Sequence, residues 1–281
     1  MVKYNRVFVS KMHDGGLFML TIREIKKVAS LEEAWQLNQK RPNRVMGGML
    51  WMRLSKGNVA TMIDLSALGL DKIEESDTEF SIGAMVTLRQ LELHEGIAAY
   101  TNGAMKEALR HIVGVQFRNL ATVGGSVFGR FGFSDVLTIL MALDAKVELY
   151  KGGVIAVSEF AKMPYDRDIL VRVLIPKQEL QCQYASVRIA KTDFPVLTCA
   201  AARTSAGVQL AVGARPAKAA LVRDEQGLLS NGITEAGAKA FAEHAASVLP
   251  TESNPRGSAA YRTHLIKVLA ARTILALGGK A

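Results

Sequence analysis

Two glycine pairs are the residues whose type and spacing best suit chemistry in this chain. Gly47-Gly48 follows a candidate strand, Arg44–Met46, and precedes a helical turn over residues 49–54. Gly124-Gly125 follows the apolar stretch 120–123, which reads as a strand. Glycine reaches positive φ without steric cost and lets a backbone N–H approach an anion with no Cβ in the way. Strand, glycine pair and helix start is the general form of a phosphate cradle. A tight turn in a packed sheet uses the same residues, and it is the commoner reason for either pair taken singly. Neither pair completes a Walker sequence or the Gly-x-Gly-x-x-Gly fingerprint, and Gly129-Arg-Phe-Gly132 fits neither.

Other chemistries find less support. The five histidines, His13, His94, His111, His244 and His264, show no metal-ligand spacing. The two cysteines, Cys182 and Cys199, cannot supply the four thiolates of an iron–sulfur cluster or a structural zinc. No Gly-x-Ser-x-Gly elbow is present, which removes the simplest hydrolase. His111 lies on a helix, where packing is a commoner role than proton transfer. Asp135 follows Ser134 at a helix start, a position that the helix dipole favours for an acid. Redox chemistry here would need an organic cofactor.

The elements that would position these residues alternate at first. Ser30-Leu-Glu-Glu33 and Thr87-Leu-Arg-Gln90 have the capping-box pattern and open helices. Strands are expected at 44–46, 61–65 and 146–151, and a hairpin at 72–76 and 79–84. Helices are expected at 104–113 and from Ser134 to Leu143. Beyond Pro176 the style changes. Residues 187–190, 196–203 and 208–212 read as a three-stranded antiparallel sheet, and two helices close the chain near 234–248 and 259–277. Strands followed by helices is the α+β pattern. The boundary between the two domains is expected between Pro164 and Tyr184, with domains at 21–175 and 180–281. Residues 1–20 are expected to be a poorly ordered extension.

Composition bounds the rest. At about 100–200 residues per domain, 281 residues suggest two domains. With 49% hydrophobic and 22% charged residues the chain can bury a full core, which excludes wholesale disorder. The formal charge of +9 is spread along the chain with no basic run, so nucleic acid is not an expected partner. Apolar runs fall far short of the roughly 20 residues that span a bilayer, so no membrane is expected, and the cytoplasm is the expected location.

The sequence becomes more specific at Gln116-Phe-Arg-Asn-Leu-Ala-Thr-Val-Gly-Gly-Ser126, followed by Ser134-Asp135 and Leu143-Asp-Ala-Lys-Val-Glu148. These segments resemble the signature of the FAD-binding medium subunits of molybdenum hydroxylases, the family of carbon monoxide dehydrogenase, xanthine dehydrogenase and aldehyde oxidoreductase. Val45-Met-Gly-Gly-Met-Leu-Trp-Met-Arg-Leu54 is similar to the family's first glycine loop. Ile82-Gly-Ala-Met-Val-Thr-Leu88 and Arg256-Gly-Ser-Ala-Ala-Tyr-Arg-Thr-His-Leu265 also fall in family order. The resemblance covers about residues 22–277.

The resemblance implies a p-cresol methylhydroxylase-type FAD-binding domain of two α/β subdomains, followed by a smaller α+β domain. It implies FAD as cofactor, a molybdopterin-binding large subunit and a [2Fe-2S] small subunit as partners, and NAD+ or another molecule as electron acceptor. Carried over position by position, FAD contacts fall on Met46, Gly47, Gly48, Met49, Leu50 and Trp51, then on Thr122, Gly124, Gly125 and Ser126. Ser134, Asp135, Arg188 and Lys191 complete the set. No catalytic acid or base is implied, and no metal ligand. Met49 and Leu50 stand where the family has Thr and Asp, and Gly129-Arg-Phe-Gly-Phe133 replaces an Ala-Ser-Pro stretch. Arg130 is expected either to add charge at the site or to be solvated. Two rival readings share the fold: a scaffold subunit that has lost FAD, and a stand-alone flavoenzyme.

Overall fold

The computed structural model describes residues 20–278, so the expected extension lies outside the described residues except for Leu20. Three sheets organise the chain. The first contains β1 (Leu20–Lys27), α1 (Leu31–Asn38), β2 (Arg44–Met46) and β3 (Gly57–Asp64), with the strands parallel in the order β1-β3-β2. Ser30 Oγ accepts the Glu33 N–H at the start of α1. Glu33 reaches back to the Ala29 N–H, one residue before the donor of a standard capping box.

The second group runs through β4 (Ile73–Glu75), β5 (Glu79–Gly83), α2 (Leu88–Leu93), α3 (Glu95–Tyr100), α4 (Ala104–Leu109), α5 (Val115–Leu120), α6 (Val123–Phe128) and α7 (Asp135–Ala142). It continues with β6 (Lys146–Leu149), β7 (Gly153–Ala156), α8 (Val157–Phe160) and β8 (Leu170–Pro176). Its five strands are antiparallel in the order β4-β5-β8-β6-β7. The Thr87–Gln90 capping box forms in full at α2. The stretch 120–123, expected as a strand, is instead the junction of α5 and α6. Thr122 Oγ1 accepts the Gly125 N–H at 3.1 Å and caps α6, which the local apolar run conceals.

The last group is β9 (Gln181–Arg188), β10 (Pro195–Thr204), β11 (Gly207–Gly213), β12 (Ala220–Arg223), α9 (Glu235–Val248) and α10 (Ala259–Leu277). Its antiparallel sheet has four strands, in the order β12-β11-β10-β9, rather than the three expected. β12 is too short to show a period of two. The first strand begins at Gln181 rather than near 187, because Cys182 and Tyr184 are the inward residues of an alternating run.

The packing explains the apolar sequences. All of α7 is buried, and it lies against β10 and β11. One core runs from the five-stranded sheet across α7 to Ala200, Ala202 and Ala211. A second core joins Leu197, Cys199 and Ala201 to α9 and α10. β10 is therefore covered on both faces, so every residue from Pro195 to Ala202 is buried and only Thr198 interrupts the apolar run. The α+β class expected from the sequence is the class observed.

Candidate functional site

A cavity of about 820 Å³ is lined by the β2–β3 loop, α6, the start of α7, residues 165–170 and the β9–β10 turn. That lies toward the upper end of the usual range for small-molecule and cofactor sites, about 300–1,000 Å³. All the expected site residues line it except one: Met46, Gly47, Gly48, Met49, Leu50, Trp51, Thr122, Gly124, Gly125, Ser126, Ser134, Asp135 and Arg188. Lys191 is the exception, exposed on the β9–β10 turn. The two glycine pairs meet there, although more than seventy residues apart in sequence. A Cβ on Gly47 would lie 2.9 Å from Thr122 Oγ1, and one on Gly48 would lie 1.8 Å from the carbonyl oxygen of Leu120.

The two pairs differ in what their amides do. Val123 and Gly124 donate to the carbonyls of Val86 and Ala84 at 2.8 Å, and Gly125 and Ser126 donate to Thr122 Oγ1 and O. These N–H groups are engaged within the protein. Gly124 is required for packing, because a Cβ there would lie 2.7 Å from both the oxygen and the Cβ of Ala84. In the first loop, by contrast, the N–H groups from Gly47 to Trp51 have no acceptor among the described residues. Met49 takes a φ of 62°, and the loop closes through Arg53 N–H on the Met49 carbonyl at 3.0 Å. A run of unpaired amides around a left-handed residue is a concavity for an anion. The loop thus keeps backbone donors without acceptors among the described residues, even with Met49 and Leu50 in place of polar residues.

A buried polar cluster forms the wall facing the last sheet. Tyr184 Oη donates to Asp135 Oδ1 at 2.5 Å, and Arg188 Nη2 makes a close ion pair with the same oxygen. Arg188 Nη1 donates to the Asp193 carbonyl at 2.6 Å, while its buried Nε has no partner. Burial pushes the Asp135 carboxyl up to about 6, with Arg188 and Tyr184 pulling the other way. Asp135 therefore does more than complement a helix dipole. It joins α7 to β9.

Trp51 apart, sequence reasoning missed the aromatic cluster that lines the cavity. Trp51 stacks on Phe194 with centroids 5.8 Å apart, Phe133 meets Phe194 edge-on at 4.5 Å, and Phe131 stacks on Phe133 at 5.1 Å. These rings come from three distant segments. The Phe131-Gly-Phe133 spacing was the one visible signal, and nothing in the sequence marks Phe194.

Arg130 neither faces the cavity nor is solvated, contrary to both expectations. Its guanidinium lies 3.8 Å over the Phe160 ring and 5.0 Å from those of Phe128 and Tyr165, and Nε donates to the Phe160 carbonyl. Tyr165 Oη in turn donates to the Gly129 carbonyl. Nη2 is buried without a partner, and no carboxylate pairs with Arg130 among the described residues. Burying an unpaired cation offsets most of what its contacts contribute. Arg130→Met is therefore expected to change stability by less than about 1 kcal/mol, measured by urea unfolding. A loss of several kcal/mol would show that the cation holds this loop.

Both cysteines are buried and free, with thiols pushed up to about 12 by burial. Among the described residues no group of His, Cys, Asp or Glu could hold a metal ion, and no helix is long and apolar enough to cross a membrane.

A cavity of cofactor size, with aromatic rings in its lining and a loop whose amides have no acceptor among the described residues, is the form of a cofactor-binding site. Residues 21–178 match the family of the FAD binding domain in molybdopterin dehydrogenase, and residues 183–277 match the CO dehydrogenase flavoprotein C-terminal domain. The chain belongs to this family, as an FAD-binding medium subunit of the molybdenum hydroxylase type. It is 27% identical over 257 residues to the Escherichia coli K12 protein YgfM, a match covering 89% of this chain and 94% of that one. It is 27% identical over 274 residues to the nicotine 6-hydroxylase medium subunit of Paenarthrobacter nicotinovorans, covering 90% and 96%. Quinoline 2-oxidoreductase from Pseudomonas putida 86 superposes with a TM-score of 0.80 at 26% identity, over 92% of this chain and 97% of that one. The reconstituted CO dehydrogenase of Oligotropha carboxidovorans reaches 0.81 at 19% identity, over 96% and 100%, which speaks for the fold alone.

Proposed function

We propose that this chain is the flavin-carrying electron-transfer subunit of a cytoplasmic molybdenum hydroxylase of the xanthine, aldehyde or carbon monoxide dehydrogenase type. In this reading a molybdopterin-binding large subunit oxidises the substrate and a [2Fe-2S] small subunit relays electrons to the FAD, from which NAD+ or another acceptor takes them. Bound FAD supplies a redox centre that exchanges electrons singly or in pairs. The chain's own task is to hold and shield it. The N–H groups from Gly47 to Trp51 would hold its pyrophosphate, with Met46 lining the cavity beside them. Thr122, Gly124, Gly125 and Ser126 form the packed wall beside that loop, and Ser134, Asp135 and Arg188 hold the opposite wall in register. Lys191, outside the cavity, adds positive charge near the mouth. Electron transfer needs no acid or base, so no catalytic side chain is assigned.

The unpaired amide run of the first loop is the observation that carries this reading. Its test is an absorption spectrum of the purified chain before and after adding FAD and desalting. The two visible flavin bands are expected to survive desalting. A folded chain that stays colourless after incubation with excess FAD would reject flavin binding by the isolated subunit.

A further inference from the structure

A second cavity, of about 510 Å³, lies away from the flavin loop, between α8 and the segment joining β11 to β12. Its charged lining is almost entirely cationic: Lys162, Arg215, Lys218 and Arg223 against the single acid Glu159. Two of these cations already have carboxylate partners, Lys162 with Glu159 at 2.9 Å and Arg223 with Asp144 at 2.8 Å. The other two do not. Arg215 donates only to the carbonyls of Pro250 and Lys218, and its buried Nε has no partner. Lys218 Nζ donates to the Ala161 carbonyl at 2.8 Å. Neither makes an ion pair among the described residues, although Glu252, whose N–H donates to the Arg215 carbonyl, favours the Arg215 charge at longer range.

The loop that carries them has a second property. The N–H groups of Ala217, Lys218 and Ala219 have no acceptor among the described residues, and the Ser158 hydroxyl on the facing wall has none either. All four residues line the cavity. Adjacent amides without acceptors among the described residues, a hydroxyl and two cations without ion-pair partners outnumber the one carboxylate of the lining, Glu159, which Lys162 already engages. That inventory suits a dianion with several oxygens better than a single carboxylate. The volume also exceeds what one inorganic anion fills.

We propose that this cavity binds the phosphoryl group of a nucleotide-sized phosphate ester or diphosphate. Lys218, Arg215 and the 217–219 amides form its floor, and Lys162 and Ser158 form its facing wall. Because the walls come from α8 and from the β11–β12 segment, a ligand here would tie the five-stranded sheet to the four-stranded one. The site is independent of the flavin reading.

The test is calorimetric titration of the purified chain, as isolated and after FAD loading and desalting, with inorganic pyrophosphate, ADP and adenosine. Pyrophosphate and ADP are expected to bind with or without flavin, and adenosine is not. Lys218→Gln and Lys162→Gln are each expected to weaken binding by about tenfold, the loss of one charge-assisted hydrogen bond. Lys162 is solvent-exposed, so that variant folds even if Lys218→Gln does not. The flavin spectrum of both variants should match the parent. The proposal fails if millimolar pyrophosphate gives no binding heat, or if neither substitution weakens it.

Discussion

Gly48→Ala is expected to displace the first loop and to abolish flavin retention. The added methyl would lie 1.8 Å from the carbonyl oxygen of Leu120 and 2.6 Å from its carbon. Both are backbone atoms at the end of α5, so no side-chain rotation relieves the clash. The loop must lift, and the unpaired amides from Gly47 to Trp51 move with it. A forced backbone shift of this kind costs about 3 kcal/mol or more. Urea unfolding gives the stability change and the visible spectrum after desalting gives the flavin content. Gly114→Ala is the control, because its methyl would find only Gln116 Oε1 at 3.5 Å, an ordinary contact. That variant should stay within about 1 kcal/mol of the parent. Equal stability of the two variants would refute the close approach.

Arg188→Met carries the second large effect, and its size depends on pH. The folded-state value for Asp135, about 6, lies above the ordinary carboxylate range, so the unfolded chain gives up this proton first. Asp135 therefore contributes fully below about pH 4, and the contribution is lost as the pH rises through its folded-state value. The span is on the order of 3 kcal/mol. At pH 5 the carboxyl is mostly protonated, and removing Arg188 leaves a neutral acid still hydrogen-bonded to Tyr184. At pH 8 the same change leaves a buried carboxylate without its cation, which costs about 3–5 kcal/mol. Urea unfolding of parent and variant at both values should show a markedly larger deficit at pH 8. Asp135→Asn should remove the parent's slope between pH 4 and 6. A deficit independent of pH would mean that Asp135 does not titrate in this range.

Much of this protein was legible because its signals are local. A hydroxyl that caps an amide three residues on needs only four consecutive residues, so Ser30, Thr87 and Ser134 each marked a helix start that the structure contains. The periodicity of α9 and α10 placed those helices within a residue or two. The ordered series of motifs from Gly47 to Arg262 pointed to the family and to FAD. Where a segment's state depends on remote partners, the same reasoning failed. The apolar stretch at 120–123 looks like a strand until Thr122 is seen capping α6 while Ala84 and Val86 take its next amides.

Taken by itself, then, the sequence determined the α+β class, the helix starts at Ser30, Thr87 and Ser134, the family and the cofactor. Each of these is written in short-range hydrogen bonds, periodic burial or contiguous motifs. Only the tertiary structure decided which glycine pair keeps its amides free, because Gly124 meets the carbonyl of Ala84 from forty residues upstream, whereas the N–H groups of Gly47–Trp51 meet none among the described residues. It also decided that Arg130 lies over Phe160, that Trp51 stacks on Phe194, and that Asp135 pairs with Arg188 between α7 and β9. Those outcomes depend on which surfaces are brought face to face, and burial then fixes the strength of every charge and hydrogen bond between them.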